Sequence, residues 1–235
     1  MYRYYHEAEV CYAYLADMQS DFFNLGFRMC KWFTRGWTLQ ELIAPKTVVF
    51  FAKGWEKIGT KASLSGILTE ITGIASEVLL STADSSEMSI AARMSWAAGR
   101  KTTRIEDRAY SLMGIFGVFM SPIYGEGEHA FIRLQEEILK VSDDQTIFAW
   151  KDKLSVGSYS GILATSPDVF EESGKFQRLD NPYDLDNQRP FSLTNMGLLV
   201  HLPLSHVDLT IQTEKRNQVA VLNCGWAGTS DRLAI

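Results

Sequence analysis

Two uninterrupted apolar runs constrain this chain more than any other feature: Val10-Cys11-Tyr12-Ala13-Tyr14-Leu15-Ala16 and Thr47-Val48-Val49-Phe50-Phe51. Neither alternates polar with apolar residues, so both predict strands covered on two faces, as in a parallel sheet. The second is also rich in β-branched and aromatic residues, which suit a pleated surface. Between them, Trp32-Phe33 introduces a helical stretch that Pro45 closes, because a residue before proline disfavours helical geometry. Strand, helix, strand is the minimal unit of a parallel α/β sheet. Ligands in such sheets bind where strand ends meet adjoining helix starts. Asp17, which ends the first run, and the segment before Glu41 are therefore expected in one binding neighbourhood.

The helix itself reads as two-faced. Residues four apart share a face, so Trp37 and Glu41 project together while Leu39, Leu42 and Ile43 turn the other way, toward a core. One face is expected to pack and the other is free for chemistry.

The rest of the chain predicts a helical extension and then a β-rich module. Residues 1–8 read as the last turns of a helix, and Leu64, Ile67, Leu68 and Ile71 mark an amphipathic helix that Gly73 caps. Ile90, Ala91, Met94 and Ala97 mark a further helix, stopped by Gly99. Thr103-Arg104-Ile105-Glu106 has the pattern of a capping box opening a helix through Ala109, Leu112, Met113 and Phe116. A third helix over about 128–141 is expected to bury Phe131, Leu134, Ile138 and Val141, with Glu136 and Lys140 paired at i,i+4 spacing. After Trp150, β-prone pieces at 160–164, 191–193, 197–202 and 219–222 alternate with polar turns, including a loop signal at Asp180-Asn181-Pro182-Tyr183-Asp184. The expected domains are 1–150 and 151–235.

Composition narrows the function classes. A net charge of −5 without a local Lys/Arg cluster gives no electrostatic footprint for nucleic acid. The most apolar stretch, Tyr110 to Tyr124, is too short and too interrupted to span a bilayer, and the N-terminus has no apolar signal-peptide core. Cys11, Cys30 and Cys224 form neither a disulfide framework nor a zinc pattern, which fits a reducing, cytoplasmic setting. His6, His129, His201 and His206 are far apart, so no metal site is expected. Gly125-Glu126-Gly127-Glu128 lacks the Lys and Ser/Thr of a phosphate loop and reads as a turn with an acidic helix start.

Several blocks together resemble the fungal heterokaryon incompatibility (HET) domain family: Ala8 to Leu15, Trp32 to Pro45 with its Arg35-Gly36-Trp37-Thr38-Leu39-Gln40-Glu41-Leu42 centre, Arg93 to Ala97, Thr102 to Phe116, and Tyr124 to Glu128. The resemblance covers roughly residues 1–150. It implies a role in non-self recognition that ends in programmed cell death, with self-association or protein partners. Members usually carry a strand and a Cys-Cys-Ile-Asp segment upstream of the Ala8-Glu9-Val10-Cys11 block. The resemblance therefore makes this an N-terminally incomplete HET domain with an unpaired sheet edge. The HET domain is in turn distantly similar to TIR domains, some of which cleave NAD with a glutamate in a Trp-Cys-Leu-x-Glu-Leu helix. Trp37-Thr38-Leu39-Gln40-Glu41-Leu42 keeps that spacing with Thr38 in place of the cysteine. This implies a partial TIR-like parallel sheet in which Glu41 is the catalytic candidate and NAD the candidate substrate, with no resident cofactor. Trp37, Arg35 and Asp17 are the binding candidates, Arg35 as a fork donor to a phosphate. By residue type alone, Glu41 reads as a solvated carboxylate and Trp37 as core. A non-enzymatic death-signalling adaptor and an inactive remnant are the alternative readings.

Overall fold

In the computed structural model, which describes residues 1–19, 23–151, 161–179, 190–206, 218–229 and 231–234, the two apolar runs pair as parallel strands. Helix α1 (Tyr2–His6) leads into β1 (Cys11–Tyr14). The chain returns through α2 (Phe23–Arg28), a 3-10 turn at Lys31–Thr34 and α3 (Thr38–Ile43) to β2 (Val48–Phe51). Cys11 then lies opposite Val48 and Tyr14 opposite Phe51. A strand that the sequence reading missed, β3 (Lys57–Thr60), adds antiparallel to β2, so the sheet order is β1-β2-β3. The fold class is mixed α/β, as expected.

Among the described residues β1 is covered on one face only, which corrects the expectation of a doubly covered β1. Ala13, Val48 and Phe50 point into the core, where Phe50 meets Phe27, Trp32 and Phe33 with ring centroids 5.6–6.3 Å apart. Tyr12 and Tyr14 point outward, 63% and 38% exposed. Their apolar rings are sheltered by one another's neighbours instead of a second layer: Tyr12 packs edge-on to Phe51, and Tyr14 stacks on Trp55 at 4.7 Å. Continuous apolar character in β1 thus reflects an aromatic surface rather than two-sided burial.

Helix α4 (Ser65–Thr72) ends on Gly73 with φ +69°, the left-handed conformation that glycine adopts without a Cβ penalty. Next come α5 (Ser76–Leu79) and α6 (Ile90–Ser95), the latter N-capped by the Ser89 hydroxyl, which accepts from the Ala92 N–H. The single helix predicted from Ile105 to Phe116 is two short ones, α7 (Asp107–Tyr110) and α8 (Met113–Phe116), and Ile105 is largely exposed. The expected capping box is absent because the Glu106 carboxylate is engaged elsewhere. It accepts the backbone N–H groups of Gly125 (2.7 Å) and Gly127 (3.2 Å), clasping the glycine turn onto α7. Helix α9 (His129–Leu139) buries Phe131, Leu134 and Ile138 as predicted. Val141 lies past its end and is exposed, and Lys140 pairs with Glu137 at 2.7 Å rather than with Glu136.

Beyond residue 160 the chain forms β4 (Phe176–Arg178), β5 (Ser192–Thr194), β6 (Gly197–Leu199), β7 (Leu204–His206), β8 (Gln218–Trp226) and β9 (Arg232–Ala234). Strand β8 pairs antiparallel with β4, β7 and β9, while β5 and β6 form a hairpin. The strand expected at 160–164 is absent from its described part. Ala164 is buried there, and its N–H and C=O are both taken by the Gln135 side-chain amide, at 3.0 and 2.7 Å, so no neighbouring strand is needed to satisfy them. The loop signal at 180–184 lies outside the described residues. Ala164, Phe170, Leu222 and Cys224 belong to the same buried cluster as the residues of α6 and α9. The segments before and after residue 150 therefore share one core.

Candidate functional site

The turn ahead of α3 is fixed from outside the helix. The Gly36 N–H donates to the Lys101 carbonyl at 2.9 Å, and the Lys101 N–H donates to the Thr34 carbonyl at 2.7 Å. A Cβ on Gly36 would sit 2.5 Å from the Thr102 methyl, so only glycine permits this approach. Thr38 Oγ1 lies 2.6 and 2.8 Å from the Trp32 and Arg35 carbonyls and accepts from Arg100 Nη1 at 3.2 Å. Arg100, only 5% exposed, also donates to the carbonyls of Arg35 (3.0 Å) and Trp96 (2.8 Å). Gln40 Nε2 donates to the Ser111 carbonyl.

These bonds explain why α3 is not the two-faced helix that its sequence suggests. Thr38, Leu39, Gln40, Leu42 and Ile43 are all buried, with partners for the Thr38 hydroxyl and the Gln40 amide nitrogen but none for Gln40 Oε1 among the described residues, and Glu41 alone is half-exposed. Glu41 faces α1, where the Tyr5 hydroxyl donates to its Oε1 at 3.4 Å. Burial pushes the Glu41 carboxyl above the usual range, while the Tyr5 bond, the Arg35 charge and the Trp32 side chain act the other way. The Cys11 thiol is pushed up by burial and by Glu41, opposed by the Lys61 ammonium. Lys61 is 1% exposed, donates to the Pro45 carbonyl, and is pushed down to about 8 by burial. Tyr5 and Cys11 thus join Glu41, with Lys61 acting on Cys11, at a site whose sequence signal was confined to 35–42. Nothing local in the sequence marks them, because each comes from a different element.

The four residues expected together divide. Arg35 is exposed and acts electrostatically on Glu41. Trp37 is half-buried against the core at the N-cap of α3. Asp17 lies past the C-terminal end of β1, whereas Cys11, the strand residue coupled to Glu41, opens that strand. Asp17 is occupied by the Cys30 thiol (2.8 Å) and the Lys31 N–H (2.9 Å). Burial alone would push the Asp17 carboxyl up, but these bonds and the Lys31 charge hold it below the usual value, and Cys30 is pushed up to about 12. A cleft of about 780 Å³ opens elsewhere, between the end of α4, the residues after α6 and the 3-10 turn at Ser173–Lys175. None of Asp17, Arg35, Trp37 and Glu41 lines it.

The chain is 41% identical over 201 residues to the vegetative incompatibility protein HET-E-1 of Podospora anserina, an alignment covering 76% of this chain. It is a homologue of a fungal vegetative incompatibility protein. The chain spans 15% of that relative's length. Residues 129–161, which begin with α9, match a domain of unknown function (DUF8212). No solved structure matches significantly. Among the described residues, no helix is long and apolar enough to cross a membrane.

Proposed function

We propose that this protein acts in heterokaryon incompatibility, in non-self recognition leading to programmed cell death, and that it does so from the cytoplasm by TIR-like cleavage of NAD at Glu41. The incompatibility role rests on the 41% identity to HET-E-1. The observation that carries the enzymatic reading is the setting of Glu41: a half-buried carboxylate between a tyrosine hydroxyl donor and an arginine charge, on a helix whose other residues are locked in the core. Cleaving the nicotinamide–ribose bond develops oxocarbenium character on the ribose, which a fixed carboxylate stabilises or whose hydroxyls it orients. Arg35 is suited to a phosphate of the same substrate, and Trp37 to holding the helix start. Asp17 is tied to the Cys30 thiol and the Lys31 N–H at the strand end.

The test is nicotinamide release from NAD by the purified protein and by Glu41→Gln, with circular dichroism to verify folding. Release that falls at least a hundredfold in a folded Glu41→Gln protein supports the reading, and unchanged release removes Glu41 from it. Tyr5→Phe removes a bond that lowers the Glu41 pKa, so the acid limb of the rate profile moves to higher pH. A second reading, a non-enzymatic death-signalling adaptor, is favoured by the exposed aromatic group Tyr12, Tyr14 and Trp55 beside the β1 edge. Cell death that survives Glu41→Gln but is lost in Tyr12→Ser/Trp55→Ser selects the adaptor.

A further inference from the structure

The buried guanidinium of Arg100 is electrostatically unusual. Its hydrogen bonds go to two carbonyls and a hydroxyl, all from Nε and Nη1, and none goes to a carboxylate. Burial alone pushes its pKa down to about 10, with no acidic neighbour acting in the other direction. Buried charges are ordinarily paired. Nη2 has no hydrogen-bond partner among the described residues, yet it is not one of the side-chain atoms sealed from solvent without a partner. Arg100 lines the cleft of about 780 Å³, a volume within the ordinary range for small-molecule sites.

The lining also includes a cation and an aromatic face. Lys175 closes the 3-10 turn, and its carbonyl accepts the Ala227 N–H at 2.9 Å, which fixes it beside the end of β8. There Trp226 is 43% exposed, braced by an edge-on contact with Phe176 at 4.7 Å. Arg28 also lines the cleft but is paired with Glu70. Glu171 and Glu172 line it too and make contacts of their own. Their presence disfavours a ligand with a long polyanionic tail. A planar ring with one or two phosphates matches the remaining groups: a base stacks on an indole, and a phosphate takes the N–H donors left on Arg100 Nη2 and an ammonium.

We propose that this cleft is a binding site for a nucleoside mono- or diphosphate, with the phosphate held between Arg100 and Lys175 and the base against Trp226. Glu41 does not line the cleft, and although Arg100 also holds the head of α3, ADP binding is read out separately from NAD cleavage.

The test is isothermal titration calorimetry of the full chain with ADP, adenosine and inorganic phosphate. ADP is expected to bind more tightly than adenosine or phosphate alone, because each of these engages only part of the lining. Trp226→Ala is expected to weaken ADP about tenfold or more, the range for loss of base stacking on an aromatic. Lys175→Glu is expected to weaken it severalfold and to reduce its salt dependence. Both residues are on the surface, so these variants keep the core. Arg100→Lys retains the charge but loses the Nη2 donors, and weaker ADP binding in a folded Arg100→Lys protein supports the assignment. No binding of ADP at millimolar concentration overturns the proposal, as does ADP affinity unchanged in Trp226→Ala and Lys175→Glu. Phosphate binding as tight as ADP overturns the ring site.

Discussion

Replacing Lys61 with methionine tests the electrostatics of the buried lysine that acts on Cys11. Lys61 is almost completely buried, with one protein acceptor, the Pro45 carbonyl, and its pKa falls from 10.5 to about 8. That difference of about 2.5 pH units corresponds to about 3 kcal/mol held against the folded state while the lysine is charged in both states. In the window between about 8 and 10.5 the unfolded chain keeps the proton and the folded chain has released it. The unfolded state then binds more protons, so stability rises with pH across the window and the cost is gone above it. Lys61→Met removes the cost at neutral pH but leaves the Pro45 carbonyl without its donor, a loss of about 1–2 kcal/mol. The variant is therefore expected to be more stable than the parent by about 1–2 kcal/mol near pH 7 and less stable above pH 10. Urea denaturation followed by circular dichroism at pH 7, 8.5 and 10.5 measures the difference. Cys11, which feels the Lys61 charge, is replaced by serine in both proteins so that its titration does not contribute. A parent-minus-variant difference that stays constant across these pH values refutes the reasoning, because it would mean that Lys61 titrates alike in the folded and unfolded chains.

Gly36→Ala puts a Cβ against the Thr102 methyl at a buried turn and is expected to cost about 1–3 kcal/mol in urea denaturation. Phe170→Ala empties a fully buried position in the shared core, at a cost of about 3–5 kcal/mol. It should shift the whole unfolding transition without splitting it in two, as seen by tryptophan fluorescence and far-ultraviolet dichroism together. The Glu106 carboxyl lies below its usual value because of hydrogen bonds from its own backbone N–H and those of Gly125 and Gly127, together with the Arg104 charge. A depressed carboxyl contributes stability that is present above its unfolded value and is lost as pH falls through the folded one. Glu106→Gln is thus expected to flatten the acid limb of the melting temperature below about pH 4.5, and to speed amide exchange at Gly125.

The parallel pair β1–β2 was legible in the sequence because apolar and β-branched character is a local property. Strand β3 was not: Lys57-Ile58-Gly59-Thr60 holds a single large apolar residue, and it becomes a strand because Phe50 and Phe51 already present an edge to pair with. The burial of α3 was hidden for a related reason. Thr38 and Gln40 look like solvent positions until Arg100, 62 residues from Thr38, and Ser111, 71 from Gln40, supply their partners. Glu41 was selected by a motif, yet the Tyr5 hydroxyl that bonds it and the Cys11 thiol that it acts on come from α1 and the start of β1. Helical periodicity reports which residues share a side of one element and carries no information about what another element brings to it.

That limit also explains the separation of Asp17 from Glu41. The expectation that they meet came from the rule that ligands gather at one end of a parallel sheet. The rule applies to residues that follow strands, and Asp17 follows β1. Glu41 lies before β2, and its coupling to Cys11 places it with the residues that open the strands. Arg100 sits between the two candidate ligand regions, since it bonds to Arg35 and Thr38 at the head of α3 while also lining the cleft. The position of α3 therefore depends on a side chain that the cleft shares. Glu41 and the cleft are chemically distinct, but the helix that carries one is anchored by the floor of the other.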